Sequence, residues 1–158
     1  MLDTSSETVV VSGRRQFAIR VAAIEEPRSM RITVVLDSRF EWTFDQSGWR
    51  PLAVGSDPQG AFLWSAREVI TLPVDATGEP VVALSVDEDL LAVFRDGVEW
   101  SLVCETSLRR VIGREEVDRI DFDGVIERCF WAGEDEIVVR LDDGSERRTR
   151  WPGAGDRP

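Results

Sequence analysis

The chain has 158 residues, 42% of them hydrophobic with six Trp and seven Phe, and a formal net charge of −11. That is enough apolar surface to fold as one domain without disulfide or metal staples, and it excludes a disordered chain. His, Lys, Tyr and Asn are absent and all 19 basic residues are Arg, which removes Ser-His-Asp and Cys-His pairs, imidazole metal ligands, Schiff bases and phosphate-loop lysines.

At the N-terminus, Asp3 and Glu7 stand where a signal peptide would carry a basic region. No apolar run approaches the roughly 18 residues of a membrane span. Two cysteines make no disulfide framework. These features predict a cytoplasmic protein, and the missing AT-rich codons point to a GC-rich, bacterial genome. Residues 1–6 read as a flexible start.

Strand signals then dominate. Residues 8–12, 17–24 and 30–36 are short β-branched runs closed by polar or Pro-containing breaks. Residues 39–44 alternate, with Phe40, Trp42 and Phe44 on one face. The break at 45–48 predicts a hairpin returning through 49–54, and strands at 62–66 and 67–74 follow. The loops at 55–60 and 73–80 are the clearest chain breaks; the second is open to a two-lobe division of a single β domain over 7–151. Residues 105–120 permit at most one short helix, because Gly113 interrupts them and their apolar residues drift off one helical face. Residues 152–158 read as a flexible tail. Strands every 8–15 residues predict an all-β, mainly antiparallel fold: a sandwich, a barrel or a propeller-like stack of β-hairpins.

Two strings resemble each other: DEDLLAVFRDG at 87–97 and EDEIVVRLDDG at 134–144. Asp96-Gly97 and Asp143-Gly144 are the favoured chemistry of a two-residue type I′ turn. That turn would set Leu91 opposite Leu102 and Val93 opposite Trp100. In the second hairpin it would set Ile137 opposite Arg150, Val139 opposite Arg148 and Arg140 opposite Arg147. The first hairpin is apolar on both faces, as a covered central element would be. The return strand of the second is polar, as an edge strand should be. Only the Asp-Gly pairs are identical in sequence and position, so the strings read as hairpins of one grammar rather than a repeat.

The string DRIDFDG at 118–124 approaches a calcium loop, but Arg119 and Phe130 occupy two ligand positions, so it reads as a strand end entering a turn. Paired carboxylates carry no weight in a chain with 30 acids. Cys104 and Cys129 sit among apolar neighbours and read as inert buried thiols. No catalytic, cofactor-binding or metal-ligating residue is predicted, and the chain reads as a non-enzyme. Trp42, Trp64 and Trp100 read as core. Trp49 and Trp151 border loops and would be the exposed indoles of the alternative function, a small-ligand or carbohydrate-binding module.

Charge is the remaining signal. Residues 1–74 hold 9 acids against 8 Arg, residues 75–143 hold 19 against 7, and residues 144–158 hold 2 against 4. This acid excess disfavours nucleic acid and anionic membrane as direct partners. Arg147, Arg148 and Arg150 fit an edge strand at 145–150 that is protected by charge and pairs with nearby acids, or that pairs with a second copy. Two acidic tips, Asp87-Glu88-Asp89 and Glu134-Asp135-Glu136, occupy matching hairpin positions and would add to one negative face. The predicted function is therefore binding of another protein with a basic surface. An immunity or antitoxin-type inhibitor of a basic effector is one form, and an accessory assembly subunit is another.

Overall fold

In the computed structural model, residues 6–48, 50–75 and 77–151 are described. The termini expected to be flexible lie outside them, except for Ser6, which opens the first strand. The chain divides into two compact units, Met1–Asp89 and Leu90–Pro158. The described residues form fifteen strands and no helix, so the all-β, antiparallel expectation holds. Among them, no helix is long and apolar enough to cross a membrane.

Unit 1 begins with a sheet in sequence order: β1 (Ser6–Ser12), β2 (Arg15–Ile24), β3 (Ser29–Leu36) and β4 (Phe40–Ser47). A second sheet repeats that meander with β5 (Ala53–Asp57), β6 (Gly60–Ser65), β7 (Glu68–Thr71) and β8 (Val81–Ser85). Alternation gives the first sheet one apolar face, whereas β6 and β7 of the second are buried on both faces. Phe17, Ile19, Ile32 and Val34 of the first pack with Ala61, Leu63 and Ile70 of the second in one core. The Ser12 hydroxyl, fully buried, donates to the Leu72 carbonyl at 3.0 Å and accepts from the Ala61 N–H at 2.9 Å, so it is satisfied both as donor and as acceptor. The loop at 73–80 lies within this unit, between β7 and β8.

Unit 2 holds β9 (Leu90–Asp96), β10 (Glu99–Cys104), β11 (Ser107–Ile112) and β12 (Glu115–Asp121) in one sheet. A three-stranded sheet of β13 (Ile126–Trp131), β14 (Glu136–Leu141) and β15 (Glu146–Arg150) follows. Val103 and Leu108 meet Ile126, Ile137, Val139, Leu141 and Trp151 in the second core.

Four local expectations change. The helix allowed over 105–120 is the β11–β12 hairpin, turning at Gly113 with φ +63°. The return expected through 49–54 does not form: β4 runs on to Ser47, and β5 pairs with β6 in the other sheet. In the first Asp-Gly hairpin, Asp96 pairs with Glu99, so Gly97 and Val98 make the turn and Val93 faces Leu102. Gly97, with φ +60°, fills the first turn position as a type II′ turn requires. In the second, Gly144 donates its N–H to the Leu141 carbonyl at 2.9 Å with φ +81°. This three-residue loop with a glycine bulge slips the register by one, so Val139 faces Arg147 and Val138 faces Arg148.

The similar strings also hold different ranks. β9 is the edge of its sheet and β14 the middle of its own, while β15 is an edge as expected. Being an edge strand with Phe94 56% exposed, β9 is not the covered central element that its apolar faces suggested.

Candidate functional site

In unit 2 the strand β13 carries Cys129 and Trp131 opposite Val139 and Ile137 of β14. Beyond Trp131 the chain turns through 132–135, and the Ala132 N–H closes that turn on the Glu136 carbonyl at 2.9 Å. After β15 the chain returns, and Trp151 donates its backbone N–H to the Asp135 carbonyl at 2.8 Å. The Trp151 indole is 4% exposed and donates Nε1–H to the Ser101 hydroxyl at 3.2 Å. Its ring lies 5.4 Å from that of Trp131, tilted by 47°.

These residues wall a groove of about 280 Å³, whose other side is Leu91, Ala92 and Phe94 of β9 with Val103 of β10. The groove is predominantly apolar. Phe94, Phe130 and Trp131 keep about half of their surface in water (56%, 46% and 58%). Large aromatic faces so exposed and so close together are unusual on a surface that only needs to be soluble. Glu127 and Arg128 supply its charged lining. Burial pushes the Cys129 thiol up to about 11, so it stays protonated at neutral pH and is no nucleophile.

The acidic turn follows directly on Trp131 and is tied to Trp151, two residues that line the groove. Glu134 and Asp135 are exposed and make no ion pair among the described residues. Glu136 is half-buried, and its Oε1 accepts from Arg148 Nη1 at 2.7 Å. Arg148 is thus a pairing cation of the edge strand, as its sequence setting suggested.

The other acidic tip belongs to unit 1. Asp87 is exposed and Glu88 half-buried. Asp89 accepts from Arg50 Nε at 2.8 Å and Arg67 Nε at 3.3 Å, and these two guanidinium groups, Arg50 foremost, hold its carboxyl below the usual range. Asp89 therefore ties the end of unit 1 to the segment before β5 and to the β6–β7 turn. Counted by unit, the sequence carries 14 acids against 8 Arg before Leu90 and 16 against 11 after it, so neither unit holds the acid excess alone.

Of the aromatic half of this site, the sequence singled out Trp151 but not Phe94, Phe130 or Trp131. Trp151, expected at the surface, is core, and Trp49 lies outside the described residues. Trp131 is the exposed indole of unit 2. Its signal was its position at a strand end, directly before Ala132-Gly133 and three consecutive acids. Asp121 of the DRIDFDG string is engaged by Arg119 at 2.6 Å, in keeping with a strand end.

No known family matches the chain, and no curated protein is similar to it. Among solved structures it is similar to the AfRom2 CNH domain, with a TM-score of 0.49 and 13% identity over 92% of this chain. The similarity covers 54% of that domain's chain, so the present chain spans about half of its length.

Proposed function

We propose that the chain is a non-enzymatic docking protein whose unit 2 binds a partner segment carrying one bulky apolar or aromatic side chain flanked by basic residues. The observation that carries this reading is the apposition of Trp131 and Trp151 to the unpaired acids Glu134 and Asp135. A groove of about 280 Å³ falls just below the ~300–1,000 Å³ typical of small-molecule sites and suits a single anchoring side chain. Aromatic anchors in small desolvated pockets dominate the energy of many interfaces. The acidic turn contributes steering and selects against acidic competitors. In this reading Glu134 and Asp135 are the contacting acids, Glu136 is balanced by Arg148, and Asp87–Asp89 serve unit 1. The chain acts in the cytoplasm, either as an immunity-type inhibitor of a basic effector or as an assembly subunit. The two forms differ in whether the docked partner loses an activity.

The test is selection of a random peptide library displayed on phage against the whole chain. Enriched peptides should share a Trp, Phe or Leu beside two or more Arg or Lys. They should lose enrichment on Trp131→Ala. Acidic consensus peptides, or enrichment indifferent to Trp131, would refute the assignment.

A further inference from the structure

Unit 1 contains a second concavity of different character. It measures about 580 Å³, inside the range of small-ligand sites, and its lining mixes aromatic with charged residues. One wall is the start of β4. There Phe40 and Trp42 point to the same side of the strand, with ring centroids 6.2 Å apart and planes within 20° of parallel. Trp42 leans on the core, while Phe40 overhangs it at 57% exposure. The opposite wall is the loop at 77–79, fastened by Arg15, which donates Nη1–H to the carbonyls of Asp75 and of Gly78 (3.2 Å). Arg15 also lies 5.2 Å from the Phe17 ring, so its position is fixed from both sides.

Four charged residues border the cleft, Arg15, Arg39, Glu41 and Glu79, but Glu41 stands between Phe40 and Trp42 on the strand and turns its carboxylate to the other face, toward Arg20. None makes an ion pair among the described residues; Arg15 is taken up by the two carbonyls, and the remaining Arg39 and Glu79 are of opposite sign. A cleft meant for an anion or a cation would carry an excess of one sign. This one offers a flat aromatic platform, the Arg39 guanidinium fork and the Glu79 carboxylate. Such planar groups take vicinal hydroxyls in pairs, and the negative face of an aromatic ring attracts the polarised C–H groups on one side of a sugar ring. The platform is held in a costly conformation. The turn from Leu36 to Arg39 closes with a 3.2 Å hydrogen bond and puts Asp37 at φ +53° and Ser38 at φ +55°, a type I′ turn built without glycine.

We infer that this cleft binds a neutral oligosaccharide, with one sugar ring stacked on Phe40 and its hydroxyls held by Arg39 and Glu79. The site is independent of the groove in unit 2.

The full chain would be titrated calorimetrically with cellotetraose, maltotetraose and chitotetraose, and with a sulfated heparin tetrasaccharide as charged control. At least one neutral saccharide should bind saturably in the millimolar range or tighter. Phe40→Ala should weaken that binding about tenfold, the worth of one aromatic contact. Glu79→Gln, a surface change that leaves folding intact, should weaken it measurably, and Trp131→Ala should leave it unchanged. Failure of all three neutral saccharides to bind would overturn the inference. So would binding of the sulfated one alone, or affinities indifferent to both Phe40→Ala and Glu79→Gln.

Discussion

Trp151 donates its backbone N–H to the carbonyl of Asp135 at 2.8 Å. A buried indole at the end of the last sheet thereby fixes the acidic turn that follows Trp131 of the aromatic groove. Apolar anchor and charged turn become one piece, and a partner must satisfy both together.

The exposed anchor separates binding from folding. Trp131→Ala removes a ring that is 58% exposed, so stability should change by no more than about 1 kcal/mol. Affinity for a basic, aromatic peptide should fall by about 2 kcal/mol or more, roughly thirtyfold. Thermal unfolding of the variant beside a fluorescence titration measures both.

The acids of the turn should act on rate. Glu134→Gln with Asp135→Asn should slow association with such a peptide, and the difference should shrink as salt rises past about 0.15 M, where the Debye length is near 8 Å. Stopped-flow association across a salt series gives the slope. A slope equal to that of the unsubstituted chain would mean that these acids serve solubility alone.

Asp89 behaves differently, because it is only 27% exposed and accepts from two arginines. Asp89→Asn should destabilise unit 1 at pH 7 by about 1–3 kcal/mol. Its folded-state value lies below the unfolded one, so its contribution is present above about pH 3.9 and is lost as pH falls through the folded value. Urea unfolding at pH 7 and pH 3 should show a difference that shrinks in acid.

Glu68 has the opposite sign. Burial raises its carboxyl above the ordinary value. Stability is then lost as pH rises from about 4.3 through the folded value. Glu68→Gln should melt higher than the unsubstituted chain at pH 7 and level with it at pH 4.

Backbone geometry separates two glycines. Gly97 has φ +60° with open space around it, so Gly97→Ala meets no clash and should cost only the backbone strain of that turn position, about 1–3 kcal/mol. Gly13 has φ +61°, and an added Cβ would lie 2.9 Å from the Val74 side chain, so Gly13→Ala should cost more. Melting temperatures of the two variants test the order.

The same geometry shows where the sequence was legible. Short β-branched runs such as 30–36 and the alternation of Phe40, Trp42 and Phe44 marked strands, because an extended chain turns alternate side chains to one face. Registers were not legible, because Gly-x and Asp-Gly turns compete within one string: at Asp96-Gly97-Val98 the glycine takes the first turn position rather than the second. Residues 105–120 left room for one short helix although Gly113 interrupts them and their apolar residues drift off one helical face; the two strands around Gly113 account for both features. Charge marked the tips but not their partners, since Asp89 meets Arg50 across 39 residues and no local pattern encodes that pairing. Trp151 borders a loop and reads as exposed, yet tertiary packing buries it and leaves Trp131, which carried no reading, at the surface.

The central claim is tested most directly by following the side-chain indole N–H signals of the six Trp residues while the whole chain is titrated with a selected basic, aromatic peptide. The account predicts that the Trp131 and Trp151 resonances shift first and together, and that Glu134→Gln with Asp135→Asn weakens the response. Shifts confined to Trp42 and Trp64 of unit 1, with Trp131 unmoved at saturation, would contradict it.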